Sequence, residues 1–359
     1  MSSDVPVSAW LHGLPKVELH VHLEGSMSVA TVRELAARHG ADTTAIWPDG
    51  LPLAFSFDGF PSFARQFFFG LSLLGSGDDL ATITDDLAAT LASQNVRYAE
   101  ITTTAYTHFL DRHDRSGMSW GEYREGLNEG RRRAAERGVE IGWVIDIPRD
   151  LEMPEQTVTI EYLESDQTPD GLVAIGLGGY EVGFPAAPYA DHFGRADAIG
   201  LPAVPHAGET EGADSVRQAV ELLGAVRIGH GVRCLEDPAL VDLLVERGIM
   251  LEVCPTSNDL LGVVERLEDH PLPDLLAAGL RVCLNTDDPG WFATDLVTEL
   301  AIASDLLGVG LEQHRALQLD AVDASLMSAG TRAALKTEIV DYANDTRSMG
   351  QSMGESMSE

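Results

Sequence analysis

The 359-residue sequence predicts an α/β fold, a (β/α)8 TIM barrel with a helical lid inserted after the first strand. Three observations lead there. Strand-like runs recur along the chain, and most are followed by amphipathic helical pattern; that alternation implies a parallel sheet. Eight such units in a chain of this length favour a closed barrel over a doubly wound open sheet. Nearly every run also ends in a group able to do chemistry, and barrel enzymes build their sites at the C-terminal ends of the strands.

The eight runs are Val17–His22, Val96–Thr104, Ile141–Pro148, Leu172–Gly179, Pro202–Gly208, Val226–Gly231, Met250–Asn258 and Arg281–Asp288. At or near their ends stand His20 and His22, Glu100, Asp146, Gly179 with Glu181, His206 with Glu209, His230, Ser257 with Asn258, and Asp287 with Asp288. Helical pattern occupies Val29–His39, Ser215–Leu223, Pro238–Arg247 and Leu272–Ala278. Between the first two strands a Pro/Phe-rich piece carries Phe55, Phe57, Phe60, Phe63 and Phe67 to Phe69. It reads as a lid over the barrel mouth, although core packing explains any one of these rings equally well. Residues 1–343 form one predicted domain. The tail 344–359, dominated by Ser, Met, Gly and Glu, predicts disorder.

With 44% hydrophobic and 23% charged residues the chain has the composition of a folded domain with a large core. A net charge of -33 disfavours nucleic acids and anionic membranes as partners. No stretch approaches the roughly 20 apolar residues of a membrane span. The first ten residues lack a basic segment followed by an apolar run, which predicts no secretory signal. Three cysteines without paired spacing argue against a disulfide framework and for a cytoplasmic protein.

His20 and His22 are i and i+2 on a strand, so both imidazoles face one way. With His206 and Asp287 from other strand ends they make a set of nitrogen and oxygen donors. Such a set suits one zinc ion, and iron or cobalt would also fit. Glu209 stands three residues beyond a ligand; a carboxyl enclosed there has its pKa raised and can donate a proton at neutral pH. His230, between two glycines, is placed to take a proton from the attacking water, or to serve as a buried structural histidine. Asp287 and Asp288 are adjacent, and a turn at that point would bring both to the mouth. The segment from Gly176 to Glu181 fails as a dinucleotide fingerprint because Glu181 replaces the third glycine; it reads as close backbone approach to a flat ligand. No P-C-x-x-C or H-E-x-x-H motif is present, which excludes cytidine-deaminase and metalloprotease readings based on those motifs.

The chain resembles the adenosine deaminase family of the amidohydrolase superfamily. The resemblance lies in Pro15-Lys-Val-Glu-Leu-His-Val-His-Leu-Glu24, His206-Ala-Gly-Glu209, Arg227-Ile-Gly-His-Gly231, Glu252-Val-Cys-Pro-Thr-Ser-Asn258 and Asn285-Thr-Asp-Asp288, which follow the family's order. It implies a zinc-dependent hydrolytic deaminase acting on a purine nucleoside such as adenosine or 2′-deoxyadenosine, releasing ammonia and the 6-oxo product. His20, His22, His206 and Asp287 would hold one zinc ion. Glu209 would protonate ring N1, and His230 and Asp287 would handle the water. His22, Glu24, Gly179 and Asp288 would face the substrate, Gly179 at N3, Asp288 at N7 and Glu24 at the 5′ region. Glu24 stands where many relatives have Asp, and Tyr180 interrupts their Gly-Asp-Glu. Tyr98–His108 and Gly178–Gly183 look more like the aminodeoxyfutalosine deaminase branch, whose substrate carries a bulky 5′ group. Adenine deaminases come third, because they usually carry Asp where this chain has Gly229. A catalytically silent adenosine-binding relative would be expected to have lost a ligand or the acid, and none is missing.

Overall fold

The computed structural model describes residues 7–57, 59–110, 117–150 and 153–356. Its strands are β1 (Lys16–His22), β2 (Val96–Thr103), β3 (Glu140–Pro148), β4 (Leu172–Gly178), β5 (His206–Ala207), β6 (Arg227–His230), β7 (Met250–Val253) and β8 (Arg281–Leu284). They form two parallel ladders, β1-β2-β3-β4 and β5-β6-β7-β8. Single parallel bridges join the two: Ile175 to Ala203 at one seam and Val21 to Asp287 at the other. Backbone bonds hold the second seam, from His22 N to Asp287 O (2.8 Å) and from Asp287 N to His20 O (3.1 Å). The strands thus follow one another in the order of a TIM barrel, with the ladder thinned to bridges at two places.

The later strands are shorter than the sequence predicts, for local reasons. Pro202 and Pro205 have no N–H to give to a ladder, so the run 202–208 keeps only His206 and Ala207 in β5. Pro255 opens a helix, Pro255–Leu260, so β7 stops at Val253, and Ser257 and Asn258 lie on helix instead of strand. Past β8 the chain turns at Asp287, whose φ is 64°.

Helices fill the connections as their periodicity predicts: Val29–His39, Ala213–Leu222, Pro238–Arg247 and Leu272–Ala277. The insert after β1 contributes the helix Gly59–Leu73, in which Phe63, Phe67 and Leu71 repeat every four residues and share one face. Phe55 stacks on Trp291 at 4.1 Å between centroids, and Phe63 packs on Phe292 at 5.3 Å. The side chain of Phe60 lies outside those described. The last helix, Ala329–Ser356, takes in residues 344–356, for which the composition predicts disorder. Leu335, Ile339 and Ala343 anchor it as a buried i, i+4, i+8 stripe, and once a helix is nucleated each further residue adds with little cost. Among the described residues no helix is long and apolar enough to cross a membrane.

Candidate active site

His20, His22, His206 and Asp287 converge at the C-terminal ends of β1, β5 and β8, their ligating atoms all within 4.8 Å of one another. Nε2 of His20 and of His22 each lie 3.3 Å from Asp287 Oδ1. His22 Nε2 and His206 Nε2 are 3.1 Å apart. His20 Nδ1 faces Glu252 Oε2 at 2.9 Å, and His206 Nδ1 faces the Leu177 carbonyl at 3.1 Å. These partners only accept, so each imidazole carries its proton on Nδ1 and offers an Nε2 lone pair. The Nε2 atom of His20 is buried and without a protein partner. Lone pairs gathered this way in a dry pocket fit a divalent cation, and the donor set suits zinc.

Charged groups behind this cluster hold it in place. Burial alone would raise Glu252, yet Arg227 and His20 pull it below the usual carboxylate range, so it remains an ionised acceptor. Arg227 donates to Glu252 Oε1 at 2.5 Å and bonds Glu100 on the far side. Ser257 Oγ donates to Asp287 Oδ2 at 2.7 Å. Glu18 accepts the Thr286 N–H at 3.0 Å and fixes the peptide before Asp287. Gly229 is required by contact, because a Cβ there would sit 2.7 Å from His20 Cε1. His230 and Asp287 both have left-handed backbone, φ 61° and 64°. Non-glycine residues held this way mark places where the surroundings over-determine the backbone.

Glu209, His230, Asp287 and Asp288 line one cavity with about 1000 Å³ of empty space. His230 Nε2 lies 3.9 Å from both Glu209 Oε1 and Asp287 Oδ2. Burial and the nearby carboxylates Asp287 and Glu181 push Glu209 up to about 8. Asp288 is raised by burial and by the charge of Asp287 beside it. Asp287 itself is held down, against its burial, by the imidazoles of His20, His22 and His230 around it. Glu209 and Asp288 are therefore poised to donate and Asp287 to accept.

His22, Glu24 and Gly179 line the same cavity, together with Asp146, Tyr180 and the lid residues Phe63, Phe67 and Phe68. Gly179 has φ 86°, and a Cβ there would meet Asp150 at 2.6 Å. Glu24 is buried, and Thr103 Oγ1 (2.7 Å) and His108 Nε2 (2.7 Å) converge on its Oε1. Gly25 carries no signal in the sequence, yet a Cβ there would overlap Asp288 Oδ1 at 1.8 Å. The sequence also hides the work of Glu181. That carboxylate accepts N–H bonds from Gly208 (2.7 Å), Glu209 (3.1 Å), Thr210 (2.9 Å) and Glu211 (2.9 Å), tying down the loop that presents Glu209. The available signal is the acid itself, three residues beyond Gly178 at the end of a strand, but nothing local names the N–H groups it accepts.

Comparison with known proteins agrees with this geometry. The adenosine deaminase family model matches residues 15–342. The chain belongs to the adenosine deaminase family. Within that family it is 40% identical over 337 residues to an aminodeoxyfutalosine deaminase of Streptomyces avermitilis, covering 93% of this chain and 92% of the other. It is 35% identical to an adenine deaminase of Rhodospirillum rubrum, covering 92% and 97%. The crystal structure of an adenine deaminase from Arthrobacter aurescens superposes with a TM-score of 0.85 at 27% identity, over 92% of this chain and all (100%) of that one. As an adenosine deaminase family member, the protein is a metal-dependent hydrolytic deaminase acting on a carbon–nitrogen bond.

Glu181 offers a direct test of how the acid is presented. Glu181→Gln exchanges one acceptor oxygen for a donor and leaves at least one loop N–H unpaired, a cost of about 1–3 kcal/mol in stability. Misplacing a reacting group by about 1 Å costs about 10²-fold. Steady-state kinetics should show kcat reduced by about 10- to 100-fold, with metal content by mass spectrometry unchanged. Wild-type kcat would release Glu181 from this role.

Proposed function

We propose that the protein hydrolyses the exocyclic 6-amino group of a purine nucleoside, giving the 6-oxo nucleoside and ammonia. One observation carries this reading: Glu209 and Asp288, carboxyls with raised pKa, face the cavity that His22, His206, His230 and Asp287 also border. A protonated carboxyl donates a hydrogen bond, and the edge of a 6-aminopurine offers ring nitrogens N1 and N7 to two such donors. Glu209 gives its proton to N1 as water adds at C6, which makes C6 electrophilic. Asp288 holds N7, and the backbone at Gly179 approaches the ring near N3. His230 and Asp287 flank the side from which water arrives. The proton given up by the water passes to the amino group, the C6–N bond breaks with its electron pair going to nitrogen, and ammonia leaves. His20, His22, His206 and Asp287 would hold one zinc ion, which when bound supplies a Lewis acid that lowers the pKa of the attacking water.

Of the possible sugars, we place a 5′-extended nucleoside first and adenosine or 2′-deoxyadenosine second. The relatives from Streptomyces avermitilis and Streptomyces coelicolor, each 40% identical, are aminodeoxyfutalosine deaminases. The lid gives the cavity an apolar aromatic wall of Phe63, Phe67, Phe68 and Leu71 beyond Glu24. Free adenine is the third reading, favoured by the Rhodospirillum relative. The test is kcat/KM for adenine, adenosine, 2′-deoxyadenosine, 5′-AMP and a bulky 5′-substituted adenosine, followed by loss of the adenine absorbance and by ammonia release. The bulky nucleoside should rank first. Free adenine ranking first would overturn the nucleoside reading, and no ammonia from any of them would overturn the purine.

A further inference from the structure

His230 ends a chain of buried hydrogen bonds whose direction can be assigned from the other end. The backbone N–H of Leu272 points at His270 Nδ1, 3.1 Å away. A backbone N–H only donates, so His270 Nδ1 is an acceptor. Burial also holds His270 down to about 4, so the ring is neutral. Its proton is therefore on Nε2, which lies 3.1 Å from Asn258 Oδ1. With its oxygen receiving that proton, the Asn258 amide turns its Nδ2 toward His230 Nδ1 at 3.3 Å. An amide nitrogen donates, so His230 Nδ1 accepts. All three side chains are buried.

We infer that Asn258 and His270 are positioning residues that fix His230 as its Nε2–H tautomer, so that His230 serves as a hydrogen-bond donor to the attacking oxygen and not as the base. This rests on the deaminase reading for its chemistry but not for its geometry. Nε2 is the atom that faces the cavity, 3.9 Å from Glu209 Oε1 and 3.9 Å from Asp287 Oδ2. A neutral imidazole with a proton there cannot take a second one from water at that atom. Asp287 Oδ2, which carries a hydrogen bond from Ser257, is then the group that accepts the water's proton. Water loses H⁺ to Asp287, its oxygen bonds to C6, the C6–N1 π pair moves to N1 and takes the Glu209 proton, and His230 donates a hydrogen bond to the oxygen while it carries charge. The helix opened by Pro255 is what makes the relay, because it turns Asn258 inward between the two histidines.

Asn258→Asp is a tautomer switch of nearly equal shape. A carboxylate accepts at both oxygens, so it still receives the His270 Nε2–H but requires a proton from His230 Nδ1. His230 Nε2 then becomes a bare lone pair facing Asp287. The experiment uses the zinc-loaded protein with ¹⁵N-labelled histidine. Nitrogen shifts in a long-range ¹⁵N–¹H spectrum distinguish the two neutral tautomers, and the His230 signal is assigned by its loss in His230→Gln. Wild type should show the Nε2–H form and Asn258→Asp the Nδ1–H form. By analogy with the wrong-tautomer substitution in a serine protease, kcat should fall by about 10²-fold or more while KM changes little. His270→Ala, which frees the amide to rotate, should give a mixture of tautomers and an intermediate kcat. An Nδ1–H wild type overturns the assignment, as does an Asn258→Asp enzyme that switches tautomer and keeps its kcat. The spectrum needs no substrate, so a mistaken nucleoside leaves its outcome untouched.

Discussion

His206→Ala abolishes metal retention and turnover together. The imidazole reaches the cluster with Nε2 while its Nδ1 is bound to the Leu177 carbonyl. Its removal deletes one of four converging donors and leaves only His20, His22 and Asp287 to hold the ion. The structural damage is limited, because the loss leaves one carbonyl unpaired, worth about 1–3 kcal/mol. His20→Ala is a less clean test, since it also strips Glu252 of the imidazole it holds. The measurement is metal content after gel filtration, alongside the melting temperature and ammonia release. A folded His206→Ala protein with full metal content would remove His206 from the ligand set.

The site was more legible in the sequence than the strand limits were, and the reason is physical. Ligand chemistry needs particular residue types, and the strand period puts His20 and His22 on one face whatever the neighbours do. The adjacent acids Asp287 and Asp288 needed one more fact, the left-handed φ of Asp287, before both could border the cavity. Strand ends depend instead on which N–H groups find partners. Pro202, Pro205 and Pro255 stop ladders that apolar runs alone would extend. The supporting residues were hardest to see. Glu181, His270 and Gly25 act through atoms distant in sequence: a loop of N–H groups at 208–211, an amide at 258 and a carboxylate at 288. No local pattern announces such a partner. The final helix shows the converse: Leu335, Ile339 and Ala343 anchor a helix that runs past Ala343 into a composition typical of disorder.

Glu209→Gln keeps the fold and the metal and loses about 10²- to 10⁴-fold in kcat, the range for removing a general acid. The amide nearly matches the carboxyl in shape, and the Glu209 side chain is not one of the four converging donors. What it lacks is a proton to give to ring N1. The same argument fixes the pH profile of the wild type. Burial, Asp287 and Glu181 raise Glu209 to about 8, so it is protonated and able to donate below that value. As pH climbs through about 8 the proton leaves, and kcat/KM should fall on the alkaline side with a slope of one. In Glu209→Gln that alkaline limb should vanish while the small residual rate persists, since an amide does not titrate. The variant also sharpens the role of the loop behind it. Glu181 supplies negative charge near Glu209 and ties down its backbone, so Glu181→Gln should move the alkaline limb to lower pH as well as reduce kcat. The decisive comparison is kcat/KM from pH 6 to 10, on the best nucleoside of the panel, for wild type and Glu209→Gln at equal metal content. A metal-loaded Glu209→Gln enzyme with near wild-type turnover, or with an unchanged alkaline limb, would mean that the proton for the ring comes from elsewhere, and Asp288, another raised carboxyl at the cavity, would be the next group to test.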